Sequence, residues 1–228
     1  DVFAASAIWG TYLLMTAANT NYLAMRGGTN WMAAVYSDDP IDGTLVTSSG
    51  KIFHNCGMRY RGGSSRLDFP HPFRPYRVNL PLGQTLDGFD ELNLNNDNAL
   101  QQYIGMKLFE DAGHGCHAPQ VELSRVWLGN QLVSTGVAQK IYVRMEKFGS
   151  DMIKRLGYEE PLGNIYKTDG DHYHGDLVYM PNLTDYTEPS YTPFDHRGYL
   201  AVTNNPYTLW HSLSNLCWQL ARDPSTYA

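Results

Sequence analysis

Apolar positions along the chain switch between a period near two residues and one near 3.6, and the switch points mark its elements. Ala17 to Arg26, with Thr16 as N-cap and Gly27-Gly28 as stop, predicts a short helix. Strand character follows in Met32 to Tyr36 and in Thr44 to Thr47, on either side of the turn cluster Asp38-Asp39-Pro40-Ile41-Asp42-Gly43. Ser49-Gly50 reverses the chain into Lys51 to Arg61, and Tyr76 to Leu80 alternates in the same way until Pro81 and Gly83 end it. Leu100, Tyr103, Ile104 and Leu108 recur at helical spacing between Asp97, a cap residue, and Gly113, which predicts a helix of about four turns. Alternation returns from Ala118 to Met145: Val121 and Leu123 share one face, Glu122 and Ser124 the other, and Gly129-Asn130 marks a hairpin turn. Ser150 to Leu156 reads as a capped helix, Asn164 to Lys167 as a strand, and the aperiodic stretch from Asp169 to Asn205 as a long loop or lid. Leu209, Leu213, Leu216, Cys217 and Leu220 form one apolar stripe on a final helix that runs out near Asp223-Pro224. The expected fold is α+β, an antiparallel sheet with flanking helices.

Composition narrows the classes of function. At 228 residues and 43% hydrophobic content the chain can bury one large core, and it reads as a single domain over 1–228. A net charge of -6 opposes nucleic-acid binding, which needs a basic face to neutralise phosphates. No apolar run approaches the roughly 18 to 20 residues of a membrane-spanning helix, so no transmembrane segment is expected. Three cysteines, Cys56, Cys116 and Cys217, are too few for a disulfide framework. The low charge, the many Tyr, Asn and Gly residues and the glycan-type triplet Asn182-Leu183-Thr184 favour an extracellular or surface location.

One segment runs against the global charge. Arg59-Tyr60-Arg61-Gly62-Gly63-Ser64-Ser65-Arg66, then Arg74 and Arg77, gathers five of the 17 cations around a single acid, Asp68. Adjacent glycines let backbone approach an anion, serines add hydroxyl donors, and arginines offer forked donors for phosphate oxygens. A tight turn between strands with solvated arginines fits the same residues, and no P-loop spacing is present.

The segment resembles a family signature. Arg59 to Arg66 and Tyr76-Arg77-Val78-Asn79-Leu80 are similar to the RxRGxSSR and SYRxxL blocks of the CotH family, the spore coat protein H kinases. The similarity continues in order through Asp90-Glu91-Leu92-Asn93-Leu94-Asn95, Cys116-His117-Ala118-Pro119, Val126 to Asn130 and Asn164-Ile165-Tyr166-Lys167, and is strongest over about residues 50–180. The resemblance implies a kinase-like N-terminal lobe plus the start of the second lobe, at a cell or spore surface, using ATP and magnesium on a protein substrate or coat and surface proteins. It implies nucleotide binding by Arg59, Arg61, Gly62, Gly63, Ser64 and Ser65. Phe73-Arg74-Pro75 stands where the family has paired lysines, leaving Arg74 as the phosphate-contacting cation. Met145 to Ile153 is similar to the family's glutamate-bearing segment and makes Glu146 the carboxylate that orients that cation.

Asp169-Gly170-Asp171-His172-Tyr173-His174-Gly175-Asp176 could hold a divalent ion through His172, His174 and Asp176, though a polar loop explains it as well. The family's catalytic acids lie in a later, WDLD-like motif that does not occur before Ala228. The chain is therefore expected to be the nucleotide-side fragment of such a domain, with its catalytic residues elsewhere. The alternative is a non-catalytic structural or adhesive component of a coat, sheath or filament on the same scaffold. A carbohydrate module using Trp127, Trp210 or Trp218 is a third reading.

Overall fold

The computed structural model describes residues 8–26, 39–61, 71–113, 117–133, 141–158, 166–168, 199–201 and 211–222. The chain divides into two compact units, Asp1–Lys147 and Phe148–Ala228. In the first unit the order is β1 (Trp9–Leu14), α1 (Ala17–Met25), β2 (Ile41–Thr47), β3 (Ile52–Tyr60), β4 (Tyr76–Asn79), β5 (Glu91–Asn95), α2 (Ala99–Ala112), β6 (Val121–Leu128), β7 (Gln131–Val133) and β8 (Tyr142–Met145).

Neighbouring strands follow the order β1-β2-β3-β4-β5-β8-β6-β7, and β1 also pairs with β6. That last pairing is parallel, with Trp9 opposite Ser124 and Leu13 opposite Leu128, while the other pairings of this sheet are antiparallel. It closes seven strands into a barrel, leaving β7 as a hairpin arm along the edge of β6 beside β8. The α+β class holds, but the expected antiparallel sheet is closed on itself by one parallel pairing. The reason is β1, whose sequence shows only a short apolar run: closure removes both sheet edges that would otherwise need covering.

Closure divides the side chains into two sets, because alternate residues of a strand face opposite sides. Leu13, Leu45, Cys56, Met58, Val78, Leu92, Leu94 and Val126 fill the interior and are all but inaccessible. Thr11 and Ser124, both buried, share a 2.7 Å hydroxyl hydrogen bond across the β1–β6 seam. On the outside, α2 lays Ala99, Tyr103 and Met106 against Val121, Val143 and Met145. Of the expected stripe, Tyr103 does pack against the sheet, whereas Leu100, Ile104 and Leu108 are 55%, 47% and 63% exposed. Periodicity finds the helix without choosing between two apolar faces, and small Ala99 allows the closer approach to the sheet.

The segment Ile41-Asp42-Gly43, expected as a turn, is the first part of β2. Its register shifts between Gly43 and Leu45, and a Cβ on Gly43 would lie 2.6 Å from the Met58 sulfur and 3.0 Å from the Leu14 carbonyl. Glycine is what permits that approach. The asparagine-rich run also proves to be a strand, β5, with all five residues buried. Thr16 caps α1 as expected, its hydroxyl accepting from the Asn19 amide at 3.1 Å. For α2 the cap position is Asn98, one residue beyond the expected Asp97, and its side chain makes no capping bond.

In the second unit, α3 (Ser150–Arg155) precedes an antiparallel pair, β9 (Tyr166–Thr168) with β10 (Tyr199–Ala201), and α4 (His211–Arg222). β10 falls within the stretch expected to be loop. On α4 the buried stripe comprises Leu213 and Cys217, whereas Leu216 is exposed. The Tyr166 and Ser212 hydroxyls are hydrogen-bonded at 2.7 Å. Among the described residues no helix is long and apolar enough to cross a membrane. The strand expected over Met32 to Tyr36 lies outside the described residues.

The barrel seam makes a thermodynamic prediction. Replacing Thr11 by Val leaves the buried Ser124 hydroxyl short of its closest partner and should cost about 1–3 kcal/mol in urea unfolding. The double change Thr11→Val with Ser124→Ala should recover most of that loss, since removing both polar groups leaves neither unsatisfied.

Candidate functional site

The outer face of β3, β4 and β5 carries the basic segment. Arg59 stands directly opposite Arg77, and Arg77 opposite Asn93. At the end of β3 the Arg61 amide donates to the Pro75 carbonyl at 2.9 Å, and the Arg61 guanidinium donates to Asn95 Oδ1. Asn95 in turn donates to Gln102 Oε1 on α2 at 2.9 Å, and Gln102 Nε2 to the Asp97 carbonyl at 2.8 Å. The helix thus fixes the arginine through two amides.

Among the described residues a buried carboxylate answers Arg77. Glu91, buried on the outer face, is ion-paired with the Arg77 guanidinium, and Lys147 Nζ lies 3.3 Å from the same oxygen. Burial lowers the pKa of Arg61, and the Arg77 charge lowers it further; Glu91 opposes this and Arg59 adds to it. Arg59, Arg61 and Arg77 therefore feel one another's charge. Arg77 Nε and Asn79 Oδ1, on the same face of β4, are buried without hydrogen-bond partners. Arg59 and Arg61 are brought together as the sequence implies; Gly62, Gly63, Ser64 and Ser65, which follow, lie outside the described residues.

Arg74 is placed on the other side of the sheet. Two residues before Tyr76, it shares the inward side of that residue, and its guanidinium carbon sits 5.0 Å from the centroid of the Tyr60 ring. Its Nη1 donates to the Arg26 carbonyl at 2.7 Å, and the residue is buried. Tyr76 donates to the Pro72 carbonyl at 2.6 Å, Tyr142 to the Arg74 carbonyl at 3.3 Å, and Tyr60 is hydrogen-bonded to His71 Nδ1. Burial raises the pKa of Tyr60, Tyr76 and Tyr142, so all three stay protonated donors. Burial also lowers the pKa of Arg74.

Glu146 does not orient Arg74. It follows the last residue of β8, while Tyr142, which reaches the Arg74 carbonyl, begins that strand; four residues of strand separate them by about 13 Å. Glu146 is buried, its carboxylate accepts from the Gln120 amide at 2.9 Å, and its own amide donates to the Gln120 carbonyl at 2.9 Å. Among the described residues Arg74 and Glu146 form no ion pair, and a cation–carboxylate pair on the outer face of β4 and β5 is Arg77 with Glu91. Sequence reading counted Arg77 among the cations of the basic segment and placed Glu91 in a family-like block without giving it a role. The alternation of β4 was the available signal, since Arg77 shares the side of Arg59 and Arg61 once Tyr76 and Val78 are inside.

Among the described residues no group of three or more His, Cys, Asp or Glu could hold a metal ion. Asp169 to Asp176 and His114 to Cys116 lie outside them. Trp127, one of the aromatic residues considered for carbohydrate binding, is stacked on Tyr12 with ring centroids 4.5 Å apart.

The inner cluster predicts a pH dependence. Burial lowers the pKa of His71, and the Arg74 charge lowers it further, so the folded ring stays neutral where the unfolded one takes up a proton near its ordinary value of about 6.5. The unfolded state then binds more protons, so this stability is whole above about pH 6.5 and is lost as pH falls from there through the folded value. Thermal unfolding followed from about pH 7.5 to 5 should show a decline that His71→Gln makes shallower.

No protein-family model matches the chain, and no curated protein is significantly similar to it, so the chemistry of this face is carried by its own residues.

Proposed function

We propose that the Asp1–Lys147 unit binds the phosphates of a nucleotide, as the nucleotide-side part of a CotH-like atypical protein kinase at a cell or spore surface. The observation that carries this reading is the Arg77–Glu91 ion pair beside Arg59 and Arg61, on the strands that flank Gly62 to Ser65. A carboxylate that orients a phosphate-binding cation under a glycine-rich loop is the arrangement by which kinases hold ATP. Arg77 takes the place that the sequence comparison gave to Arg74, and Glu91 the place it gave to Glu146.

Magnesium does not fit the described residues in the same way. Glu91 is engaged by Arg77 and Lys147, and no cluster of metal ligands accompanies it. The role assigned to this chain is accordingly to hold the nucleotide, and no transfer step is derived for it.

Calorimetric titration of the full-length protein with ATP tests the reading. Arg77→Ala and Glu91→Gln should each weaken ATP about tenfold or more, because a charge-assisted hydrogen bond contributes about 1.5–3 kcal/mol. Arg74→Leu should instead lower the unfolding temperature, since it removes a buried guanidinium from the Tyr60 ring and the Arg26 carbonyl. Equal ATP affinity in the wild type and Arg77→Ala would overturn the proposal.

A second reading, a non-catalytic coat or filament component, is favoured by one observation, the ridge of Leu100, Ile104 and Leu108 that α2 leaves exposed. Sedimentation velocity separates the two readings. Concentration-dependent assembly that Ile104→Glu abolishes would favour the structural role.

A further inference from the structure

A cleft of about 440 Å3 lies away from the arginine cluster, between α2 and the start of β6. Among the described residues its lining includes Trp9, Tyr103, Lys107, Glu110, Gln120 and Glu122, over a floor completed by the buried Val121. The volume lies in the range of about 300–1,000 Å3 common to small-ligand sites. Aromatic rings with hydrogen-bonding groups around them are the usual furniture of such a site.

The charges of the lining select the ligand. Glu110 is already paired with Lys107, whose Nζ lies 2.6 Å from its Oε2, and Glu122 is paired with the Arg144 guanidinium. The hydrogen bond to Glu110 raises the pKa of Lys107, so the pair stays ionised. Each charge thus has its partner within the protein, and the described lining offers no surplus charge for either an anion or a cation. What remains are spare hydrogen-bonding positions: a carboxylate accepts up to about four hydrogen bonds, and an ammonium donates three. Groups of that kind suit hydroxyls, which donate to the one and accept from the other.

The aromatic part is held in place before any ligand arrives. The Arg144 guanidinium lies 5.4 Å from the centroid of the Trp9 ring, and Arg144 is itself fixed by Asp87 at 2.7 Å and by Glu122. Trp9 is tied into the barrel seam through its pairing with Ser124. Tyr103 is held by its packing beside Val121, Val143 and Met145. Rigid rings cost little ordering entropy on binding and present apolar surface to the C–H face of a flat ring.

We infer that this cleft binds a neutral saccharide ring, with Trp9 and Tyr103 as apolar platforms and Lys107, Glu110, Gln120 and Glu122 as hydroxyl partners. The residues differ from Trp127, Trp210 and Trp218, and the site does not depend on nucleotide binding by the arginine face.

The test uses the whole chain and uncharged sugars: glucose, galactose and N-acetylglucosamine with their short oligomers, followed by tryptophan fluorescence and saturation-transfer NMR. At least one sugar should give a saturable response. Glu110→Gln, at an exposed helix position where folding is not at risk, should weaken it about tenfold, the effect of losing hydrogen bonds to a charged group. Tyr103→Ala should do the same, with circular dichroism confirming the fold. No saturable response from any sugar, or an affinity unchanged in Glu110→Gln, would overturn the inference. A response to inorganic phosphate or choline with none to sugars would equally overturn it, by assigning the cleft to a charged ligand.

Discussion

The parallel pairing of β1 with β6 is the constraint on which the rest of the first unit depends. Without it the antiparallel strands would form an open sheet with two faces and two edges. With it there is one inside and one outside, and every strand residue is assigned to one of them. The pairing joins positions more than a hundred residues apart, and its polar centre, the Thr11–Ser124 hydrogen bond, is satisfied only when the ring is closed. Chain-local preference contributes little to such a contact, which is why the closing strand is the element least visible beforehand.

The same partition sorts the arginines. Arg59, Arg61 and Arg77 face outward, where among the described residues the buried Glu91 carboxylate receives Arg77 and the Asn95 amide oxygen receives Arg61. Arg74 faces inward, where phenol rings and backbone carbonyls receive it instead. Both settings satisfy a guanidinium, but they differ in what else can reach it. A guanidinium fixed over a ring in the interior braces the end of the barrel, whereas those on the outer face meet a carboxylate and an amide there. Among the described arginines of the basic segment, the chemistry is thereby carried by the three on the outer face, and Arg74 is set apart from them.

Much of this was legible in the sequence, and the failures have physical causes. The α+β class, the ends of α1 and the existence of α2 followed from caps, periods and glycine stops, all of which are local. The Arg59 to Arg66 cluster was legible as a local charge excess. Arg74 was assigned by family resemblance, and its inward placement over the Tyr60 ring follows from a bend ahead of β4 that no local pattern announces. Glu146 was assigned by a motif whose register with β8 could not be known until that strand was paired. β5 was hidden because Asn93 and Asn95 are polar residues buried on an outer face, which reverses the usual relation of polarity to exposure. The exposed ridge of α2 misled for the opposite reason, since apolar residues there do not face the barrel.

The direct opposition of Arg59 and Arg77 across adjacent strands also ties the molecule to its ionic surroundings. Like charges so placed repel, and Glu91, which Lys147 also approaches, offsets part of that repulsion for Arg77. Dissolved ions screen charges of this kind over a Debye length of about 10 Å at 0.1 M salt. The same electrolyte that weakens the Arg77–Glu91 pair thus also weakens the Arg59–Arg77 repulsion, so the two effects of salt on this face oppose each other.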